Sequence, residues 1–434
     1  MWYDEAVFYQ IYPLGFCGAL DAPRDGQNRI GKVKEWIPHL QKLGVTAVLF
    51  NPVFASDFHG YDTEDLLRLD SRLGTDDDFA SVCSALHEAG MRVILDGVFH
   101  HVGRNFPPFR DVREHREQSR YASWFHIDFG GNTGYGDGFW YEPWEGHYEL
   151  VKLNLDNPEV RNYLYSCVGK WMDRFGIDGL RLDVAYLLPD FFLSELRDFC
   201  LARKSDFFLV GEILGGDYNR LLNILPSCTN YECRKGLYSS FQSMNLFEIG
   251  YSLNRQFGND PWTLYRGRHL LTFADNHDVD RAASLLTDKR QLTPLYGLMF
   301  GMPGIPCLYY GSEWGAEGTK HDGSDLDLRP SFDSPEWNDL TSSIAAFAAA
   351  HHNSEALCYG EYRQVLQTNK QLIFERKSEH ERVLVAVNAA DETFHADFNA
   401  ECGCAVDLTD GSPHDFGAGS DLEPYCVYYW KCEK

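Results

Sequence analysis

Along most of the chain, short apolar runs rich in β-branched and aromatic residues alternate with longer amphipathic stretches. AVFYQIYP (6–13), TAVLFNPV (46–53), RVILDGVF (92–99), GLRLDVA (179–185), FFLVGEI (207–213), LLTFADNHD (270–278) and IPCLYYGSE (305–313) read as strands. A weaker candidate lies at 237–241. The stretches between them carry helix ends. In TDDDFASVCSALHEAG, Thr75 is placed to cap a helix with Asp78 three residues on, the first turn is acidic, and Gly90 stops it. In DNPEVRNYLYSCVGKWMDRFG, Asn157 caps, Pro158 takes the first helical position and Gly176 ends the helix. Strand–helix alternation repeated about eight times predicts an α/β fold whose parallel sheet closes into a (β/α)8 barrel.

Two segments break the alternation. Residues 102–154 form an excursion rich in Gly, Tyr, Phe and Trp, including GYGDGFWYEPWEGHYEL. So long a segment beyond a strand's C-terminal end reads as a functional loop or small inserted domain. The cluster Phe139, Trp140, Tyr141 and Trp144 suits either a wall of a cleft or a private core under the loop. From 353 to 434 the helical pattern gives way to short alternating strands such as QLIFERK and RVLVAVNAA, which predict an antiparallel β domain. The barrel itself takes 1–101 and 155–352.

Composition narrows the partners. Hydrophobic residues at 44% exclude disorder and allow a large core. Asp and Glu outnumber Lys and Arg by 64 to 39, and the resulting charge of −25 opposes binding to nucleic acid or an anionic membrane. Aromatic richness in an acidic chain fits a neutral, hydroxyl-rich ligand such as a sugar. No apolar stretch reaches the about 18 residues of a membrane span. The start, MWYDEAVFYQIYPLGF, lacks the basic region and cleavage site of a signal peptide. Twelve cysteines are scattered from Cys17 to Cys432 without the paired spacing of a zinc site, and Cys402 and Cys404 flank one glycine. That usage suits a reducing cytoplasm.

Chemistry gathers where the strands end. In GLRLDVA the alternation turns Leu180, Leu182 and Val184 toward the helices and Arg181 and Asp183 toward the barrel interior. Glu212 ends the next strand, and Asn276, His277 and Asp278 end LLTFADNHD. Asp96, His100 and His101 close RVILDGVFHH. A lone carboxylate at such a place is often a structural ion pair. Three of them with two histidines on one rim are costly to bury unless chemistry retains them. Paired carboxylates suit glycoside hydrolysis: one attacks the anomeric carbon and one protonates the leaving oxygen.

These motifs, in this order, resemble the α-amylase superfamily, glycoside hydrolase family thirteen. DGVFHH is similar to its third-strand motif, GLRLDVA to the nucleophile motif, GEI to the acid/base motif and NHD to the seventh-strand motif. GIPCLYYGSE resembles the eighth-strand motif, and HGYDTEDL the loop after strand two. The resemblance covers essentially the whole chain. It implies a (β/α)8 barrel with domain B inserted after strand three, a C-terminal antiparallel β-sandwich, and retaining cleavage of α-glucosidic bonds. It makes Asp183 the nucleophile, Glu212 the general acid/base and Asp278 the transition-state stabiliser. Arg181 would hold Asp183 ionised, His101 and His277 would donate to sugar hydroxyls, and Tyr61 would stack beneath the ring. Asp62, Asp325 and Arg329 complete the implied substrate-binding set.

VKLNLDNPEV (151–160) resembles a signature of neopullulanases, cyclomaltodextrinases and maltogenic amylases. The N-terminal module usual in those relatives has no counterpart before this barrel, which leaves their dimer mode in doubt and the oligomeric state unread. Two positions depart from the family. His100 stands where an asparagine usually holds calcium, and Tyr186 where a histidine supplies a further ligand. Calcium wants hard oxygen donors. The expectation is therefore no metal site and no required cofactor, with calcium possible only elsewhere. The expected activity is cytoplasmic hydrolysis of maltooligosaccharides or cyclodextrins, with an α-glucanotransferase as the alternative. A non-catalytic sugar-binding barrel is disfavoured because Asp183, Glu212 and Asp278 are all present.

Overall fold

The computed structural model describes residues 1–321 and 323–433. Eight parallel strands, β1 (Phe8–Ile11), β2 (Ala47–Phe50), β3 (Arg92–Gly97), β4 (Gly179–Leu182), β5 (Phe208–Gly211), β6 (Ser227–Cys228), β7 (Leu271–Thr272) and β8 (Ile305–Tyr309), follow one another in space. β1 pairs with both β2 and β8. A parallel bridge between Thr229 and Leu271 closes the ring between β6 and β7. The expected barrel is present.

The sixth strand is not where the apolar pattern puts it. Residues 237–241 lie inside the helix Tyr231–Ser243, and β6 is a two-residue pairing upstream of it. Leu237 and Phe241, four residues apart, are both buried on one helical face, so the apolar pair is a helix stripe. β7 is also short. Only Leu271 and Thr272 join the ladder, and the residues after them leave it to carry His277 and Asp278 to the rim.

The helix ends are as the sequence predicts. Thr75 Oγ1 accepts from the Asp78 amide at 3.2 Å, while the Asp78 carboxylate accepts from the Thr75 amide at 2.9 Å. Asn157 accepts from the Glu159 amide at 2.9 Å, and the helix Pro158–Phe175 stops at Gly176, whose φ of 65° suits glycine.

Strand alternation divides the core into two layers. Phe8, Ala47, Leu49, Ile94, Phe208, Val210, Leu271 and Ile305 fill the barrel interior. Val48, Val93, Leu95, Leu180, Leu182 and Leu209 face outward into the larger core beneath the helices. Two residues further along each strand the inward position turns polar. Gln10 follows Phe8, Asn51 follows Leu49, Asp96 follows Ile94 and Glu212 follows Val210, all buried. The floor is apolar and the mouth is polar.

After β3 the chain makes the predicted excursion. The strand His101–Gly103 pairs antiparallel with His147–Lys152, which pairs with Pro143–Trp144. The helix Pro107–His115 lays Phe109 edge-on against Phe125, Phe139 and Tyr141. Phe139 and Tyr141 are fully buried and continue the large core beneath the helices, while Trp140 and Trp144 stay half-buried.

The C-terminal strands β9 (Glu361–Gln367), β10 (Gln371–Lys377), β11 (Arg382–Asn388), β12 (Cys404–Asp407), β13 (Pro413–Asp415) and β14 (Val427–Cys432) form one antiparallel sheet in the order β9-β10-β11-β14-β12-β13. Leu372, Phe374, Val383, Val385 and Tyr429 turn toward the barrel. Ile373, Leu384, Ala386 and Trp430 turn away, under the two-stranded sheet of Phe394–Ala396 and Ser420–Leu422. Arg376 is 1% exposed and, among the described residues, pairs with no carboxylate. It donates to the carbonyls of Gly301 (2.8 Å) and Gly360 (3.1–3.2 Å), at the C-terminal ends of the helices Leu292–Gly301 and Glu355–Tyr359. The negative ends of two helix dipoles there take the place of an anion. Among the described residues no helix is long and apolar enough to cross a membrane.

Candidate active site

The polar mouth of the barrel is organised by one guanidinium. The β3–β4 register places Arg181 beside Asp96. Arg181 Nη1 lies 2.8 and 2.7 Å from the two oxygens of Asp96 and 3.1 Å from Asp183 Oδ1, while Nη2 lies 2.6 Å from Glu212 Oε1. The strand-end carboxylates of β3, β4 and β5 thus share one cation, and all four side chains are buried. Burial pushes Asp183 well above the ordinary carboxylate range; Arg181 opposes this, while Glu212, Asp96 and Asp278 add to it. Glu212 is pushed up by burial and by Asp278, again against Arg181. One cation cannot neutralise three carboxylates in a dry site, so the cluster retains a proton and titrates as a unit.

Val184 is a departure from the strand pattern. It does not continue β4 but turns at φ 40° and ψ 42°, in the left-handed region that a β-branched residue rarely enters. The turn aims its amide at Glu212 Oε2, 3.0 Å away.

Asp278, the most open of the carboxylates with its side chain 34% exposed, stands on the other side of the mouth. His277 Nε2 is 3.0 Å from its Oδ2, and Arg329 Nη2 is 3.3 Å from its Oδ1. Arg329 also reaches Asp325 at 3.1 Å and lies over the Tyr12 ring. Both late-chain residues therefore join the site, with Asp325 further held by Lys320 at 2.9 Å.

The two histidines are neutral. Burial pushes both well below the usual imidazole value, helped for His277 by Arg181 and Arg329 and for His101 by His100. His277 is stacked between Tyr12 and Tyr61. Its Nδ1 lies 3.1 Å from the Gln10 amide nitrogen, a donor, so the ring proton sits on Nε2, facing Asp278 and the Tyr61 hydroxyl. His101 Nδ1 is 3.3 Å from His100 Nδ1, and its Nε2 is buried without any partner. Of two neutral rings meeting through Nδ1, one donates and the other accepts. If His100 donates, His101 is left with a free Nε2–H.

Tyr61 donates to Asp96 at 3.0 Å and accepts from Asn51 at 3.1 Å, which fixes its half-buried ring in the mouth. Asp62 shapes the loop that carries Tyr61. Its two oxygens accept from the amides of Phe58 (2.7 Å) and His59 (3.0 Å), so its carboxylate is used to fold the 57–62 loop. Gln10, Asn51 and Tyr12 belong to the site although the sequence motifs do not single them out. The signal for the first two is an amide at an inward-facing step of an otherwise apolar strand. Tyr12 carries none, since a tyrosine beside Pro13 reads as ordinary core.

The residues around His100 do not fit calcium. The ring is buried, and its pKa falls to about 4 through burial and the nearby Lys152 ammonium. Lys152 itself is paired with Glu142 at 2.6 Å. An imidazole and an ammonium stand where a hard cation would need oxygens. Tyr186 lies elsewhere, reaching Glu145 Oε1 at 3.4 Å across the cleft. Glu145, at φ 44°, sits at the tip of the hairpin that carries Trp144. The Trp144 ring is 5.8 Å from the His101 ring, and among the described residues its Nε1 is buried without a partner.

The chain has relatives among known proteins. A cyclomaltodextrinase from a Bacillus species is 30% identical over 89% of this chain and 73% of its own length. An intracellular maltogenic amylase from Bacillus subtilis is 30% identical over 73% of this chain, which spans 56% of that protein. The ligand-free cyclic α-maltosyl-(1→6)-maltose hydrolase from Arthrobacter globiformis superposes with a TM-score of 0.86 at 25% identity, over the full length of both chains. Residues 10–355 match the family model described as alpha amylase, catalytic domain. The chain belongs to the alpha-amylase family, and the carboxylates gathered by Arg181 lie inside its catalytic domain.

Proposed function

We propose that this protein hydrolyses α-glucosidic bonds of maltooligosaccharides and cyclic glucans with retention, through a covalent glycosyl-enzyme. The observation that carries the reading is Arg181 in direct contact with Asp96, Asp183 and Glu212 at the open end of the barrel. Asp183 attacks the anomeric carbon, and Arg181 favours its ionised form. Glu212 gives its proton to the departing oxygen and then takes one from the incoming water. The raised pKa of Glu212 suits an acid that must stay protonated near neutrality. Asp278, with Arg329 and His277 behind it, faces the positive charge that develops on the ring. His101 and Trp144 offer two unpartnered ring nitrogens to sugar hydroxyls.

The relatives support the substrate class, since they are named for cyclodextrins, maltose-forming amylolysis and a cyclic maltosyl-maltose. One relative is named as intracellular, in line with a cytoplasmic site of action.

The test is product analysis from maltotetraose, pullulan, a cyclodextrin and cyclic α-maltosyl-(1→6)-maltose, with the anomer released followed by NMR. Initial α-anomers from at least one substrate are expected. Initial β-anomers would overturn the mechanism, and no cleavage of any would overturn the substrate class. Products longer than the substrate would show a sugar acceptor winning over water at the same intermediate, the transferase outcome.

A further inference from the structure

We infer that Cys402 and Cys432 form an oxidisable dithiol that a small disulfide converts into an intramolecular bridge across the C-terminal sheet. Their sulfurs lie 2.9 Å apart, closer than two unbonded sulfurs rest and about 1 Å beyond a disulfide bond. The backbone enforces the approach. Cys432 ends β14, where it pairs with Ala405 of β12. Cys402 sits in the loop before β12, straight after Glu401, whose φ of 55° lies in the left-handed region.

Two further observations point to chemistry at this pair. Arg382 Nη1 donates to the Cys432 sulfur at 3.4 Å, and its Nη2 is buried without a partner. A guanidinium at that distance stabilises the thiolate, the form that reacts. Both cysteines also line an open cavity of about 610 Å³, together with Arg382, Glu401, Lys431 and Glu433, which admits a small disulfide. Burial and the neighbouring thiol push Cys432 up to about 12 against the pull of Arg382, so Cys432 rests as a thiol.

The exchange balances. One thiol loses its proton and attacks a sulfur of a low-molecular-weight disulfide such as oxidised glutathione, expelling one small thiolate. The second thiolate attacks the mixed disulfide and expels the other. Two protein thiols and one small disulfide become one protein disulfide and two small thiols, with the two protons passing to the expelled thiolates. The bridge ties β14 to the loop ahead of β12 and closes the segment 402–432 in the unfolded chain as well, which raises stability.

The experiment equilibrates the whole protein in oxidised and reduced glutathione at graded ratios, followed by intact mass, peptide mapping and thermal unfolding. The expected result is a chain lighter by two hydrogens, a cross-linked peptide pair containing Cys402 and Cys432, and a Tm raised by a few degrees. Cys402→Ser should remove the cross-link and the rise, while Cys404→Ser, at an exposed neighbour, keeps both. Mixed glutathione adducts at Cys402 or Cys432 without a cross-link would overturn the inference, as would no reaction at either. Peptide mapping of the unaltered chain separates these outcomes even if a serine variant folds poorly.

Discussion

The amide of Val184 and the carboxylate of Glu212 are 3.0 Å apart, and a φ of 40° at a β-branched residue holds them so. The residue after one key carboxylate thereby grips the next. Strain of this kind persists where the surroundings over-determine it, and here it aims Glu212 from β5 toward the tip of β4.

Asp183→Asn should lower turnover on every glucan by about 10⁴-fold or more, because no glycosyl-enzyme forms. Glu212→Gln should fail on maltooligosaccharides yet release fluoride from an α-glucosyl fluoride, whose leaving group needs little protonation. Steady-state rates on the two substrate types check both roles; equal loss on both by Glu212→Gln would remove it as the acid.

The pH profile should be bell-shaped, with both limbs above the ordinary carboxylate range. Burial raises Asp183, so protonation of the nucleophile cuts activity on the acid side well before a free aspartate would titrate. Asp96→Asn removes one negative neighbour and frees Arg181 for Asp183, and both changes lower the Asp183 pKa. The acid limb of kcat/KM should move to lower pH, with kcat reduced by about 10–100-fold through looser placement of Arg181. An acid limb that stays put or rises would contradict this.

Asp178 is a different kind of carboxylate. It is 1% exposed and accepts from the Val93 amide, His87, Arg92 and Lys204 within 2.5–2.9 Å. Burial pushes its pKa up, but those bonds outweigh burial and hold it well below the usual range. A depressed folded-state pKa contributes stability that is complete above about pH 4, the unfolded value, and is lost as pH falls toward the folded one. Asp178→Asn should cost about 2–3 kcal/mol at pH 7, at the modest end because Arg92 and Lys204 reach solvent, and should flatten the acid limb of Tm against pH. Thermal unfolding from pH 7 to 3 measures it.

Activity and Tm should be insensitive to EDTA, since His100 and Lys152 occupy the junction of barrel and inserted domain. A calcium-dependent rise in Tm, abolished by changing His100, would refute this. Calcium bound on another loop would leave it standing.

Trp144→Ala should raise KM for longer oligosaccharides by about tenfold, roughly 1.4 kcal/mol, with little change in Tm. A lowered Tm with unchanged kinetics would place Trp144 with Phe139 and Tyr141 as part of the packing of the inserted segment.

Much of this site was legible because strand alternation is a strong local signal. Arg181 and Asp183 alternate with Leu180 and Leu182, and Glu212 and Asp278 end apolar runs, so the rim could be read residue by residue. The left-handed turn at Val184 could not, because the carboxylate its amide meets lies nearly thirty positions further along the chain. Nor could β6, where two paired residues carry less pattern than the helical stripe of Leu237 and Phe241 beside it. The role of Asp62 in the loop was hidden for a related reason: its oxygens accept from amides three and four residues back, which motif matching does not reveal.

Arg376 has a consequence for how this protein can be cut. The helix ends it joins come from the barrel and from the connector, so the sheet behaves as a keystone. A chain truncated after Tyr359 would leave the Gly301 carbonyl without its donor and uncover the helical layer where Phe374, Val385 and Tyr429 now rest. The catalytic half is therefore no portable module, and shuffling it onto a foreign C-terminal domain would demand a substitute for one buried arginine.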